Sequence, residues 1–73
     1  MYLKRLRDLR EDKDLLQKDI AEILQIKRQV YGLYEIGKRT LPIDLLNTLA
    51  NYYQVSTDYI LERTNQKEPY PKY

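Results

Sequence analysis

Arg28 and Gln29 are adjacent in the chain and carry side chains suited to recognition rather than bond making. A guanidinium offers paired N–H donors that match the O6 and N7 acceptors of guanine. A carboxamide offers one donor and one acceptor, matching N7 and N6 of adenine. Lys27 stands immediately before them, and Lys38 and Arg39 follow a helix-length later. Cations flanking a pair of base-reading groups suit phosphate oxygens, which fix register without carrying sequence information. Leu33 lies a turn beyond Gln29. Its apolar side chain fits a thymine methyl, and equally fits packing against Ile36 or a neighbouring chain.

Other chemistry is poorly supplied. The 73 residues include no cysteine and no histidine. Disulfides, thiolate nucleophiles, imidazole acid–base catalysis and zinc sites of the usual ligand types are excluded, so neither a metal nor another cofactor is expected. The pairs Asp12/Asp14 and Asp58/Glu62 read as solvated charges at helix ends rather than as acid–base pairs, and no enzyme is expected. No segment approaches the roughly 18 apolar residues of a membrane span. The opening "MYLKRLRDLR" lacks an uninterrupted apolar core, which makes the cytoplasm the expected location. The net charge of +2 says little, but its distribution is uneven. Residues 24–40 hold Lys27, Arg28, Lys38 and Arg39 against Glu35, a net of +3, whereas residues 41–62 hold Asp44, Asp58 and Glu62 with no cation, a net of −3. One side therefore suits a polyanion and the other does not.

The elements that position these residues follow from apolar spacing. Leu3, Leu6 and Leu9 predict a first amphipathic helix from about Tyr2 to Asp12. Leu16, Ile20, Ile23 and Leu24 predict a second over Leu16–Leu24, and a third spans Lys27–Ile36, ended by Gly37. Pro42 suits the first position of a fourth helix, whose inner stripe is Ile43, Leu46, Leu49, Ala50 and Tyr53. Ser56 and Asp58 open a short fifth helix that reaches about Arg63. No strand-like alternation occurs. The expectation is an all-α, five-helix domain over residues 1–63, with residues 64–73 a loose or partner-ordered tail.

Successive helical residues are separated by about 100°. Val30, Tyr31 and Tyr34 then share the packed side of the third helix, leaving Arg28, Gln29, Gly32, Leu33 and Ile36 outside. Lys27 and Arg28 at a helix amino end oppose its macrodipole, a cost of a few tenths of a kcal/mol each. A nearby phosphate offsets that cost.

The run "QKDIAEILQIKRQVYGLYEIGKRTLPIDLLNTLANYYQVSTDYIL", with "LRDLRED" before it, resembles the Cro and lambda-repressor type of helix–turn–helix domain, the XRE family. Gln17, Ala21, "YE" followed by "GKR", and "LA" followed by "VSTDYIL" carry the resemblance through their joint spacing. It implies a lambda-repressor-like fold in which the second and third helices form a helix–turn–helix on double-stranded DNA. By matched position Arg28, Gln29 and Leu33 face bases, while Gln17, Lys27, Lys38 and Arg39 face the backbone. Ala21 is small beneath the crossing third helix, and Arg10 and Glu35 form a partly buried ion pair.

The sequence departs from that pattern at several positions. Gln25 occupies the turn position where glycine is favoured, and Leu16 replaces the usual Ser or Thr cap, for which Asp14 is a substitute by register shift. Gly32 weakens the presumed reading helix, either to let its backbone approach the bases or without a role. The aromatic set is eight tyrosines. Tyr31, Tyr34 and Tyr53 face the core, where each hydroxyl is expected to reach a partner or the surface. Leu45, Tyr52 and Tyr59 form a candidate homodimer contact, joined by Tyr70 and Tyr73. The expected function is a sequence-specific transcriptional regulator, a repressor acting as a dimer on a pseudo-palindromic operator. The alternative is an antitoxin or other protein-binding regulatory module.

Overall fold

Leucines at every third position give the first helix a single apolar edge. In the computed structural model, which describes residues 3–68, Leu6 and Leu9 of α1 (Lys4–Asp12) are buried, with Leu3 as the preceding cap. Four further helices follow: α2 (Gln17–Leu24), α3 (Arg28–Glu35), α4 (Ile43–Tyr53) and α5 (Thr57–Ile60). No strand occurs among the described residues. Five helices were expected, and their edges differ by a few residues. The expected start at Tyr2 lies outside the described residues. Lys27 is an extended cap (ψ 143°) rather than the first residue of α3. Pro42 is likewise the cap of α4, with ψ 148°, because its fixed φ serves an extended residue as well as a helical one. The last helix stops at Ile60 because Glu62 turns left-handed two residues later.

The helices end in a common way. Each is followed by a residue at positive φ: Asp14 (56°), Gln25 (58°), Gly37 (80°), Gln54 (57°) and Glu62 (61°). The next amide then reaches back into the last turn: Leu15 to Arg10, Ile26 to Ala21, Lys38 to Leu33, Val55 to Ala50 and Arg63 to Asp58, at 2.8–3.0 Å. This is the Schellman closure, which satisfies otherwise orphaned carbonyls. Leu15, Ile26 and Val55, the residues that close α1, α2 and α4, drop onto the core directly afterwards.

Helix starts are less uniform. Ser56 caps α5, its hydroxyl accepting from the Tyr59 amide at 3.0 Å. Leu16 has no acceptor for the α2 amides, but the Asp19 carboxylate accepts from the Leu16 amide at 2.8 Å, the reverse half of a capping box. Asp14 does not serve as a substitute cap, since it closes α1 instead.

The core gathers Leu6, Ile20, Tyr31, Leu49 and Ile60, all essentially inaccessible, around Ala21 and Ala50. α2 and α3 make the most extensive helix pairing, and buried Ala21 lets their backbones approach. The hydroxyls of Tyr31 and Tyr53 are buried without a hydrogen bond, contrary to expectation. The aromatic rings fill the centre; the Tyr31 hydroxyl lies near the Glu35 carboxylate without the geometry of a hydrogen bond, and the Tyr53 hydroxyl has no such neighbour.

Residues 64–67 fold back onto the body. Arg5 of α1 donates to the carbonyls of Tyr59 (3.0 Å) and Thr64 and to Asn65 Oδ1 (2.8 Å), and the Ser56 amide donates to the Lys67 carbonyl at 2.9 Å. The Arg5 guanidinium also stacks 4.3 Å from the centre of the Tyr59 ring. Contacts with the helical body thus continue past Arg63 as far as Lys67, and residues 69–73 lie outside the described ones.

Candidate nucleic-acid interface

α3 divides sharply between two environments. Tyr31, Tyr34 and Glu35 are buried, whereas Arg28, Gln29, Leu33 and Ile36 are exposed. Arg28 and Gln29 occupy the first turn, and no acidic residue lies there to neutralise the helix amides. Lys27, Lys38 and Arg39 are exposed as well. None of these four cations pairs with a carboxylate or makes a side-chain hydrogen bond within the described residues. The positive end of the helix dipole and the unpaired Lys27 and Arg28 therefore share the amino end of α3, an arrangement that attracts anions, while Lys38 and Arg39 follow its other end.

The loop after α3 is held by its backbone. Gly37 takes φ 80°, and the Lys38 and Arg39 amides both donate to the Leu33 carbonyl, at 3.0 and 3.2 Å. Their side chains are left outside. Leu33 thus has two functions: its side chain faces out beside Gln29, and its carbonyl anchors the basic loop.

Behind α3 lies a charged lock. Arg10 Nε is 3.0 Å from Glu35 Oε2 and its Nη2 is 3.1 Å from Oε1, a two-pronged contact. The third nitrogen, Nη1, donates to the Leu15 carbonyl at 2.9 Å. Glu35 is only 2% exposed. Burial by itself raises its pKa, but the Arg10 hydrogen bonds, with the nearby Tyr31 hydroxyl and Gln17 amide, outweigh burial and hold the carboxyl below its usual range. Burial, and then the Glu35 charge, push the Tyr31 phenol far up. One arginine thereby fixes α1, the α1–α2 turn and the far end of α3 together.

Gln17 differs from the simple exposed contact. It is half-buried at the start of α2, and its Nε2 donates to Glu35 Oε1 at 3.3 Å. Of the residues expected in a dimer contact, Tyr52 is exposed, Leu45 is half-buried against the core, and Tyr59 lies between Arg5 and Lys67 (Nζ 5.7 Å from the ring centre). Tyr70 and Tyr73 lie outside the described residues. Arg5 escaped the sequence reading because its partners, 54 to 60 residues away, leave no local signal. No group of three or more metal-ligating side chains occurs among the described residues, and no helix there is long and apolar enough to cross a membrane.

Residues 6–60, which include the whole α2–turn–α3 unit, match the helix-turn-helix family model. The chain belongs to the helix-turn-helix family. Its five-helix arrangement is the lambda-repressor-like form of that family, with α2 and α3 as the namesake pair. The chain is similar to the uncharacterized HTH-type transcriptional regulator YobD of Bacillus subtilis, 42% identical over 69 residues, covering 94% of this chain and 62% of that protein. A second relative in that bacterium, the SPbeta prophage-derived uncharacterized HTH-type transcriptional regulator YonR, is 42% identical over 65 residues, covering 89% of this chain and 60% of that one. The cryptic phage CTXphi transcriptional repressor RstR of Vibrio cholerae is 31% identical over 55 residues, 75% of this chain and half of the repressor. The helix-turn-helix chain thus spans between half and about six-tenths of the length of these relatives. No solved structure matches it.

Proposed function

We propose that this chain binds double-stranded DNA sequence-specifically as a transcriptional regulator, a repressor acting as a dimer on a pseudo-palindromic operator. One observation carries the reading: Arg28 and Gln29 are exposed and adjacent in the first turn of a helix whose opposite side is locked into the core. A rigid helix with its amino end outward matches the way a recognition helix enters the major groove. In this reading Arg28, Gln29 and Leu33 read base edges. Lys27, Lys38, Arg39 and Gln17 hold the phosphates of the flanking backbone, which supply most of the salt-dependent affinity. The transcriptional-regulator names of the relatives support it, and the one named a repressor supports negative control.

Two copies reading a palindrome would place their α3 helices about 34 Å apart, one turn of duplex. Tyr52, with Leu45 and the Arg5-covered Tyr59, is the proposed contact between the copies. The acidic stretch 41–62, which contains them, keeps this contact from competing for phosphates. Repression then follows from occupancy of the operator.

Selection of bound duplexes from a random pool tests the proposal. The expected result is an inverted repeat with half-sites one helical turn apart. On that duplex Arg28→Ala costs about 1–3 kcal/mol and relaxes choice at one base pair, whereas Lys38→Ala weakens every duplex alike and lowers the salt slope by about one. Identical behaviour of the two variants on selected and random DNA overturns the assignment. A protein partner retained from the native host after nuclease treatment, with no duplex enriched, favours the protein-binding module instead.

A further inference from the structure

Gly32 stands in the middle of α3, where almost any other residue would make a more stable helix. The space left by its missing side chain is in use. A Cβ at this position would lie 3.2 Å from Gln17 Oε1 and 3.9 Å from Gln17 Cδ, the first closer than a comfortable carbon–oxygen contact. The nitrogen of the same carboxamide donates to Glu35 Oε1, and Glu35 is fixed in turn by Arg10. The Gln17 carboxamide therefore lies across α3, seated on bare backbone on one side and tethered to a buried carboxylate on the other. A primary amide has two N–H groups, so one remains available beyond the bond to Glu35.

We propose that Gly32 is a positioning residue for the DNA-backbone contact: by omitting a side chain it seats the Gln17 carboxamide against α3, where Glu35 aims its second N–H at a phosphate. The proposal rests on the reading of α2 and α3 as a DNA-binding pair. It gives the glycine a different purpose from bringing the helix backbone closer to the bases. A methyl at position 32 pushes Gln17 by a few tenths of an ångström, and the bond to Glu35, already 3.3 Å long, has little room to follow. The helix itself gains, so stability and binding move in opposite directions.

The experiment compares wild type, Gly32→Ala, Gln17→Ala and the double variant. Each is titrated against the duplex that wild type enriches from a random pool and against a random duplex, over a range of salt. Gly32→Ala is expected to bind both duplexes about tenfold more weakly, the scale of one charge-assisted hydrogen bond. Its salt slope stays unchanged, because a neutral amide displaces no counterion. Its thermal midpoint is equal to or above that of wild type. In the Gln17→Ala background the Gly32 substitution has no further effect. An equal loss in that background means that the methyl meets DNA directly, and overturns the proposal. So does a loss confined to the selected duplex, or no loss at all. A wild-type chain that binds no duplex overturns the DNA reading and the proposal together, whereas failure of the variants alone overturns only the proposal.

Discussion

Glu35 is the residue whose environment differs most from what its type prefers. A carboxylate that is 2% exposed is tolerable because Arg10 contacts both its oxygens and Gln17 adds a further donor. Removal of the cation by Arg10→Met leaves a buried charge with only the Gln17 donor and is expected to cost about 3–5 kcal/mol, read as a shift in the urea midpoint at pH 7. The pH dependence has a definite sign. In the wild-type fold Glu35 titrates below the unfolded value of about 4.3, so the unfolded state takes up its proton first. Its contribution is complete above that value and disappears as the pH falls through the folded pKa. In Arg10→Met burial, the largest influence, is opposed only by the Tyr31 and Gln17 groups, so the carboxyl is expected to rise above its unfolded value and the penalty to diminish with acidification. A steeper acid loss in Arg10→Met than in wild type would refute this account. Tyr53 presents the opposite case, since its buried hydroxyl serves no partner. Tyr53→Phe removes an unmet polar group and is expected to leave the melting temperature unchanged or raise it. Arg10 and Glu35 were legible as a pair only through resemblance to a family, because 25 residues separate them. The unmet hydroxyls were not legible, since no spacing rule reports whether an acceptor lies within reach.

At the scale of the element, the helix closures show what apolar spacing captures and what it does not. The stripes of α1 to α4 were readable because burial follows the helical period, except at Ile23 and at Ile43 in the first turn of α4, which were expected on the inner side and are exposed. Gly37 was readable because glycine favours a left-handed end, and Gln25 stood out only against a family in which glycine is usual. The closures at Asp14, Gln54 and Glu62 carry no such mark, and the backbone adopts them because Schellman bonds and the burial of Leu15 and Val55 outweigh the local strain. A non-glycine residue at these angles costs on the order of 1 kcal/mol. Gln54→Gly is therefore expected to raise stability by about 0.5–1 kcal/mol in chemical denaturation, less than the full strain because glycine enlarges the unfolded ensemble. Gln25→Gly is expected to do the same within the α2–α3 turn, with DNA affinity unchanged. A loss of stability in both variants would mean that the glutamine side chains contribute contacts worth more than the strain.

At the scale of the molecule, two successive segments of opposite net charge, 24–40 and 41–62, share one core. Lys27, Arg28, Lys38 and Arg39 flank α3, while α4 and α5 bring only Asp44 and Asp58, so a polyanion is drawn to α3 rather than to the last two helices. Composition alone made this division visible. The closure of the domain by Arg5 was invisible, because an arginine in an amphipathic helix resembles any solvated charge until its distant partners are known. Arg5→Ala is expected to lower the thermal midpoint by several degrees, through loss of the hydrogen bonds to Tyr59, Thr64 and Asn65 and of the stacking on Tyr59. Truncation after Arg63 is expected to lower it by a similar amount. Combining the two should cost little beyond either alone, since both remove one joint, and additive losses would assign them to separate roles. The same joint sets an order of events during synthesis. A nascent chain that has released α1 to α4 from the ribosome already contains α2 and α3, yet Arg5 has no carbonyl to grip. Its flank stays open until residues 59 to 65 emerge, so the domain closes only as the last of these residues leave the exit tunnel.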